Sequence, residues 1–238
     1  TNHYDPQRYD QGPISEIVFD RNDYRRLQER LGSVFAEADV MDGRLRLLAR
    51  ASRFEIDNQR YTDGIQGSDD SAGRTEISLR ATLALDTDHV DSARHSLGLG
   101  IDRQRESFRN NDPAFTYDPS QMIPQSRSLT GVALEYRGQL AAGLDLQLGL
   151  RRDLNDRFSD FTTYSAALSW SLPESGTRLH GSIGTGVQNP SLFQQFGFVP
   201  DAFEGNPDLV PEQSRGWDIG VEQALWDGRA LASAVYFD

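Results

Sequence analysis

The chain has 238 residues, of which 37% are hydrophobic and 25% charged, and its formal net charge is -12 at pH 7. The acidic balance excludes general nucleic-acid binding, which depends on basic patches, and the absence of cysteine excludes disulfides, thiolate nucleophiles and cysteine-ligated zinc. No apolar run approaches the ~18 residues of a membrane helix, which excludes a helical membrane protein, whereas a membrane barrel stays open because its strands are apolar only at alternate positions.

Apolar and polar residues alternate along most of the chain, and this period of two predicts β-strands. A charged stretch over 24–38 runs into a turn at Met41-Asp42-Gly43, and we predict that it is the first strand. Clear alternation follows over 77–85, 96–102, 144–151 and 164–172. Strands of about 10–16 residues are implied, and these are longer than the ~5–6 residues common in soluble sheets.

The connections between the strands alternate in length along the chain. Short connections are predicted near 40–43, 88–92, 140–143, 173–177 and 226–229. Longer ones are predicted near 61–73, 110–125 and 188–212, with a brief one near 157–161. The two sets therefore fall on opposite ends of an up-and-down meander. Short turns at one end and long loops at the other are typical of an outer-membrane β-barrel, whose turns face the periplasm and whose loops face outside.

The side chains also favour a barrel, because the polar strand positions carry small or charged residues, as a water-filled lumen does. Aromatic residues near strand ends fit the interfacial girdles of such a barrel: Phe108, Tyr136, Phe158, Tyr164, Trp170, Trp217, Trp226, Tyr236 and Phe237. We therefore predict an all-β, antiparallel, up-and-down transmembrane β-barrel, of which this chain forms about ten strands. Lipid is expected to contact Leu97, Leu99, Ile101, Leu144, Leu146, Leu148, Leu168 and Trp170. A soluble antiparallel sandwich shows the same alternation and is the alternative fold.

Residues 184–225 contain an ordered motif. A Gly-x-Gly strand end precedes Pro-Ser-Leu, an aromatic-rich loop, Gly-Asn-Pro-x-Leu-x-Pro-Glu-x-Ser and a strand with Gly-x-Glu. The motif residues are Gly184, Gly186, Pro190, Ser191, Leu192, Gly205, Asn206, Pro207, Leu209, Pro211, Glu212, Ser214, Gly220 and Glu222. This segment resembles the TonB-dependent outer-membrane receptors, which include siderophore and cobalamin receptors, and a weaker resemblance extends to 95–108 and 149–153.

The resemblance implies energy-coupled uptake of a scarce ligand, such as an iron-siderophore or a corrinoid, across the cell outer membrane. It implies outer-membrane lipid and the TonB protein as partners, the latter through a plug domain, and neither catalysis nor a cofactor. The family's barrels have about 22 strands, so residues 1–238 are expected to be a fragment of the barrel domain, without the plug and the C-terminal strands. A passive channel or adhesin barrel, and a soluble β-rich binding module, are the alternatives.

Ligand is expected at the long loops, where aromatic faces beside guanidinium groups suit a large, partly apolar anion. The candidate residues are Tyr61, Arg109, Phe115, Tyr117, Phe193, Phe196, Phe198 and Phe203, with Arg60 and Arg74 near the loop bases. For the four phenylalanines of 188–212, packing into the barrel mouth is an equal alternative to ligand contact. The motif residues are expected to be structural, with Gly205 and Asn206 tolerating left-handed φ and with Pro207 and Pro211 stiffening the return path.

Two other chemistries are less well supported. The four histidines are scattered and no Gly-x-Ser-x-Gly elbow is present, so His180 and Ser182 are expected to line a lumen rather than to hydrolyse a substrate. Asp69-Asp70 and Asn110-Asn111-Asp112 offer hard oxygens for Ca²⁺, but they lack the alternating spacing of a calcium loop. Solvated loops are favoured at both positions, and no metal site is predicted.

Overall fold

The period-two segments form one antiparallel sheet in which neighbouring strands follow one another along the chain. The computed structural model describes residues 23–111, 123–199 and 203–238. The elements are β1 (Tyr24–Val40), β2 (Leu45–Thr62), β3 (Ile65–Ala84), β4 (His95–Asn111), β5 (Gln125–Ala141), β6 (Leu144–Asn155), β7 (Phe161–Leu172), β8 (Thr177–Gln188), α1 (Leu192–Phe196), β9 (Phe198–Val199), β10 (Phe203–Glu204), β11 (Glu212–Leu225) and β12 (Ala230–Phe237). The sheet has ten strands, β1 to β8 and then β11 and β12, while β9 pairs only with β10.

The register sorts the side chains of the sheet onto two faces. Between β3 and β4, Leu79 lies opposite Ile101 on an apolar face, and Ser78 lies opposite Asp102 on a polar face. The eight residues expected to contact lipid share the apolar face. On the polar face, Arg151 of β6 bonds to Asp102 at 2.6 Å. A Cβ on the intervening Gly131 would overlap that guanidinium group, so the glycine makes room for the ion pair.

The described residues lack the packed core of a sandwich. Their buried hydrophobic side chains are Ala84, Phe108 and Leu192 alone, whereas leucines of the apolar face such as Leu99 and Leu168 are 55% and 47% exposed. A sandwich needs a second sheet about 10 Å away, and in the described part of the chain the second sheet is the two-residue β9–β10 pair. A single-layer sheet with an exposed apolar face is the architecture of a barrel wall.

The connections follow the predicted alternation in length except at two places, 61–73 and the ten-residue connection 85–94 between β3 and β4. Short turns join β1 to β2, β5 to β6, β7 to β8 and β11 to β12 at one end, and the long 112–124 and 189–211 connections lie at the other. A short 3-10 helix, Val90–Ser92, lies in the connection between β3 and β4. Among the described residues, no helix is both long and apolar enough to cross a membrane.

The predicted loop at 61–73 is wrong, because β2 and β3 continue through it. They meet at a two-residue turn, Asp63 and Gly64, where φ is 51° and 77°. Positive φ at both positions is typical of a tight hairpin turn. Backbone hydrogen bonds extend the ladder up to Thr62 opposite Ile65, with a register shift at Arg60. Residues 63–73 are mostly polar because this part of the hairpin extends beyond the apolar band, so no alternation marks the strands there.

The connection between β3 and β4 is tied to the sheet by two carboxylates. Asp86 Oδ1 accepts a hydrogen bond from the His95 backbone N–H at 3.1 Å, and Asp91 accepts two from Arg46 at 2.8 and 2.9 Å. The His95 N–H holds the pKa of Asp86 below its ordinary value. Arg46 holds the pKa of Asp91 below its ordinary value in the same way.

Acid is therefore expected to loosen this connection. A carboxyl group whose pKa is lower in the folded than in the unfolded protein stabilises the folded state at any pH above its unfolded pKa of about 3.9. This contribution is lost as the pH falls through the pKa of the folded state. Hydrogen exchange at the His95 amide should accelerate in that acidic range beyond its intrinsic pH dependence. Asp86→Ala should show the faster exchange already at neutral pH, and equal protection in the variant and the parent would contradict the assignment.

Candidate functional site

The 189–211 loop folds back over the polar face at the long-loop end of the sheet. Its helix α1 begins at a capping box, in which Ser191 Oγ accepts from the Gln194 N–H at 3.1 Å and Gln194 Oε1 accepts from the Ser191 N–H at 2.7 Å. Such a box satisfies two backbone donors that a helix start leaves unpaired. Leu192 and Gln195 of α1 are buried, and the helix packs on β4 and β5.

Gly205 fixes the return of this loop by close approach. Its N–H donates to the Gly197 carbonyl at 2.8 Å, and a Cβ at position 205 would lie 2.7 Å from backbone atoms of Gln195 and Phe196. Gly205 and Asn206 do not have positive φ, so the expectation of left-handed φ at these two residues is wrong. The absence of a side chain at Gly205, rather than its conformational freedom, lets the two backbone segments touch.

Arg127 joins the start of the loop to the sheet. Its Nη1 donates to the Pro190 carbonyl at 2.5 Å, and its Nη2 lies 2.5 Å from Glu106 Oε2. Arg74 Nη2 lies 2.5 Å from the other carboxylate oxygen of Glu106. The side chains of Arg127 and Glu106 are 11% and 13% exposed, so water screens this ion pair little.

Three phenylalanines from the sheet and the loop form an aromatic cluster. Phe193 stacks on Phe203 with ring centroids 4.9 Å apart. Phe193 also meets Phe108 of β4 edge to face, with ring centroids 5.9 Å apart. Phe108 is buried, whereas Phe193 and Phe203 stay 38% and 36% exposed. The two loop rings therefore pack against the sheet and still leave apolar surface exposed.

The other two loop phenylalanines also contact other parts of the chain. The Phe196 ring carries the Arg157 guanidinium 5.4 Å from its centroid, a cation–π contact. The carbonyl of Phe198 accepts from Asn110 Nδ2 at 3.4 Å. Phe196 thus contacts the connection between β6 and β7, and Phe198 contacts strand β4.

A cavity of about 530 Å³ lies between the loop and the polar face of β2, β3 and β4. Its lining combines cations with apolar and aromatic side chains, among them Arg25, Arg60, Arg74, Phe54, Ile56, Phe108, Leu192 and Phe193. Asp70 and Glu106 supply two carboxylates. A concave, largely apolar surface with a few convergent charges is the form of most small-molecule sites.

The structure brings some of the predicted ligand residues to this cavity and places others elsewhere. Phe193 lines it, and Phe203 stacks on Phe193. Tyr61 stacks on Tyr24 at 4.3 Å and alternates with Arg60, so it lies on the side opposite the cavity. Arg109 also lies there, because it follows Phe108 in the strand and pairs with Ser71. Phe115 and Tyr117 lie outside the described residues.

Arg25, Phe54, Asn58 and Arg127 are additional residues of the mouth that the sequence analysis did not identify. All four lie in strands, on polar-face positions near the long-loop end. Counting alternate positions back from a loop would have placed Phe54 and Asn58 on that face. Nothing in the sequence signals that Arg127 would contact Pro190.

The remaining motif residues make local contacts within the loop and along the β8–β11 pair. Gln195 Nε2 donates to the Pro207 carbonyl at 3.3 Å, and Leu209 N–H donates to the Asn206 carbonyl at 3.3 Å. Across β8 and β11, Glu222 pairs with Arg178 at 3.2 Å. The other members lie at or beside the β8–β11 pairing: Gly184, Gly186, Pro211, Glu212, Ser214 and Gly220.

The polar groups of β8 and β11 are not arranged as a catalytic triad. Ser182 Oγ donates to the Asp218 carboxylate, and His180 Nδ1 lies 3.9 Å from the same carboxylate. A triad needs the imidazole between the hydroxyl and the acid, whereas here the acid is in the middle. A Cβ on Gly220 would lie 2.4 Å from His180 Nε2, so this motif glycine makes room for the ring.

Asp69, Asp70, Asn110 and Asn111 do not lie in the solvated loops that we expected, and Asp112 lies outside the described residues. Asp69 and Asp70 belong to β3, where they lie opposite Asn111 and Asn110 of β4. The hairpin that extends β2 and β3 beyond the apolar band brings them into the ladder. In the part of the chain that the structure describes, no group of three or more His, Cys, Asp or Glu side chains could hold a metal ion.

The sequence matches the family described as "TonB dependent receptor-like, beta-barrel" over residues 1–238. The chain belongs to this family. Its ten-stranded antiparallel sheet, with short turns at one end and long connections at the other, is a partial TonB-dependent receptor barrel.

Solved receptor structures share the fold of this TonB-dependent receptor barrel. The siderophore receptor PirA from Pseudomonas aeruginosa is 19% identical, with a TM-score of 0.72 over 90% of this chain and 39% of PirA. A PfeA ferric enterobactin receptor variant from the same organism, in complex with enterobactin, is 22% identical, with a TM-score of 0.68 over 90% and 35%. The hemophore receptor HasR from Serratia marcescens, solved with HasA and heme, is 14% identical, with a TM-score of 0.64 over 90% and 40%. The chain thus spans about two fifths or less of these receptors.

Removing the Arg127 anchor is expected to free the loop of this receptor barrel. In the full-length receptor, Arg127→Ala should weaken docking of the 189–211 loop by about 1.5–3 kcal/mol, the usual range for hydrogen bonds to a charged group. Chymotrypsin should then cut faster after the loop phenylalanines. Arg105→Ala is the control, because this exposed arginine lies on the other side of the sheet. Cleavage as slow as in the parent would show that Arg127 does not hold the loop.

Proposed function

We propose that the full-length protein takes up an anionic, partly apolar ligand of the ferric-siderophore class across the outer membrane, driven by TonB. The observation that carries this proposal is the cavity under the 189–211 loop, where Arg25, Arg60 and Arg74 lie beside Phe108 and Phe193. Guanidinium groups make charge-assisted bonds to an anionic chelate, and the rings supply apolar contact. A corrinoid is the second candidate ligand, because the same rings suit its large apolar surface.

We propose that this chain is one part of the barrel wall. The strands β1 and β12 each pair on one side only in the described sheet, and unpaired strand edges are not tolerated in lipid. Further strands of a larger barrel would cover both edges. A plug domain in the lumen would connect the ligand site to TonB. Outer-membrane lipid would contact the apolar face, and transport would need no covalent chemistry, cofactor or nucleic acid.

Ligand binding tests the proposed class. Tryptophan fluorescence of the purified full-length receptor should respond to ferric enterobactin, the anionic aromatic probe, more strongly than to a neutral ferric hydroxamate or to cyanocobalamin. Arg25→Gln/Arg74→Gln should weaken ferric enterobactin binding about tenfold or more, since each lost charge-assisted bond is worth about 1.5–3 kcal/mol. Arg80→Gln is the matched control, because Arg80 lies on the same face but outside the cavity. Tighter binding of cyanocobalamin would favour the corrinoid, and equal affinity of the double variant would contradict the assigned site.

The apolar face disfavours the soluble-module alternative. Leu79, Leu99 and Ile101 are each about half exposed and lie on adjacent strands. Monomeric soluble proteins rarely expose contiguous apolar patches of such extent. A passive channel or an adhesin barrel would share this face and differs from the proposal in needing no energy for passage.

A further inference from the structure

Arginines extend the outward side of the sheet beyond the apolar band at the long-loop end. Arg103, Arg105 and Arg109 occupy alternate positions of β4, on the same side as Ile101, and all three are exposed. Arg103 and Arg105 make no hydrogen bond or ion pair with any residue that the structure describes. Two free guanidinium groups on one strand face are notable in a chain with a net charge of -12.

These arginines border a groove of about 730 Å³. Its floor consists of small and hydroxyl residues, namely Ser71, Gly73, Thr75 and Ser107. A Cβ at Gly73 would lie 3.1 Å from Ser107 Oγ, so the glycine leaves this part of the groove open. Across the floor from the β4 arginines lies Arg53 of β2. The groove therefore combines cationic walls with hydroxyl donors and acceptors.

Two carboxylates, Glu55 and Asp57, line the groove together with these arginines, and both already have arginine partners. Glu55 lies 2.5 Å from Arg53 and 3.8 Å from Arg30, and Asp57 lies 3.6 Å from Arg30. Asp69 lies 3.7 Å from Arg109. Arg103 and Arg105 are left as excess positive charge, which favours an anionic occupant.

A second groove continues the first along the same side of β1 to β5. It measures about 560 Å³ and is lined almost entirely by apolar side chains, including Ala36, Ala38, Ala49, Ala81, Leu79 and Leu99. Ile77 borders the cationic groove and Leu79 borders the apolar one. These two residues are successive same-face positions of β3, which lie about 7 Å apart. A single amphiphile can therefore span both grooves.

We propose that β2, β3 and β4 bind a phosphorylated glycolipid of the outer leaflet, with its phosphates on Arg103 and Arg105 and an acyl chain in the alanine-lined groove. Arginine forks match phosphate oxygens in a bidentate manner. The hydroxyl floor suits a sugar headgroup, and a groove of 730 Å³ holds more than a lone phosphate. The inference goes beyond the proposed uptake function and rests on its outer-membrane location.

Lipid titration of the full-length receptor in detergent tests this site. Native mass spectrometry should show that bisphosphorylated lipid A binds about tenfold or more tightly than its dephosphorylated form, because charge-assisted bonds to phosphate are lost. Arg103→Gln/Arg105→Gln should remove that preference, and inorganic phosphate should not displace the lipid. Arg215→Gln is the matched control, since Arg215 is an exposed arginine of β11 that lies on the same outward side of the sheet as Arg103 and Arg105. Ala49→Trp should weaken lipid A binding by filling the apolar groove.

Several results would overturn the assignment. Equal affinity for phosphorylated and dephosphorylated lipid A would remove the role of the arginines. Phosphatidylglycerol binding as tight as lipid A would contradict a glycolipid site, as would a double variant that behaves like the parent. Ferric enterobactin binding is measured separately on the same samples. Its failure would contradict the proposed ligand class without affecting the lipid result, and its retention in the double variant would show that the two sites are distinct.

Discussion

Replacing Leu146 with arginine is expected to lower the free energy of barrel unfolding by about 2–4 kcal/mol, the cost of a lipid-facing arginine near the bilayer midplane. Leu146 lies opposite Gly138 on one neighbouring strand and Leu168 on the other, on the apolar face. Leu144 and Leu148 flank it on that face. A guanidinium at this position would have to enter hydrocarbon or distort the bilayer around it.

The adjacent Gln147 provides the matched control for this substitution. Its side chain lies on the polar face, where Gln147 Nε2 donates to Glu135 Oε1 at 3.1 Å. An arginine in its place would face the lumen and could pair with Glu135, so Gln147→Arg should change stability by about 1 kcal/mol or less. Urea titration of the full-length receptor folded into lipid vesicles measures both variants. Equal losses at the two positions would contradict the assignment of the faces.

Gly205→Val is expected to weaken ligand binding strongly while the barrel still folds. Its Cβ would lie 2.7 Å from backbone atoms of Gln195 and Phe196, and backbone cannot move aside as a flexible side chain can. Overpacking of this kind costs about 1–3 kcal/mol. The loop can avoid the clash by detaching from the sheet. Phe193 and Leu192 would leave the cavity with it. Ferric enterobactin affinity should fall about tenfold to a hundredfold, the equivalent of that cost.

A glycine in open space provides the control for Gly205. An added Cβ on Gly32 of β1 has no neighbouring atom within 4 Å, so Gly32→Val should leave binding unchanged. Heat-modifiable migration on a denaturing gel reports barrel folding for both variants, and fluorescence titration reports binding. Unchanged ligand affinity in Gly205→Val would mean that the ligand site lies outside the 189–211 loop. Loss of folding in that variant would contradict a role confined to the loop.

The strands were predictable from the sequence because each one presents an apolar face at alternate positions. The Leu144 to Leu150 alternation marks β6 without ambiguity. The outer parts of β2 and β3 were missed because they lie beyond the apolar band, where backbone hydrogen bonds alone hold the pair. The Asp63-Gly64 dipeptide is a strong hairpin signal, and it was outweighed by the polar residues around it.

The candidate site was predictable in its location but not in its membership. The motif and its phenylalanines identified the 189–211 loop, and Phe193 and Phe203 do reach the mouth. Arg109 was grouped with them because it lies near a predicted loop. Side chains alternate along β4, so Arg109 lies on the face of the sheet opposite to that of Phe108. The Arg127 contact with Pro190 joins residues 63 positions apart. No local pattern encodes such a contact, because it depends on how the loop folds back.

Energy-dependent uptake tests the central claim most directly. Cells in which the full-length protein is the sole receptor for ferric enterobactin would receive the ⁵⁵Fe-labelled complex, with and without a protonophore that collapses the inner-membrane gradient. We predict that surface binding persists in both conditions and that ⁵⁵Fe accumulates inside only when the membrane is energised. Accumulation that continues without the gradient, in proportion to the external concentration, would contradict TonB-dependent transport and indicate a passive channel.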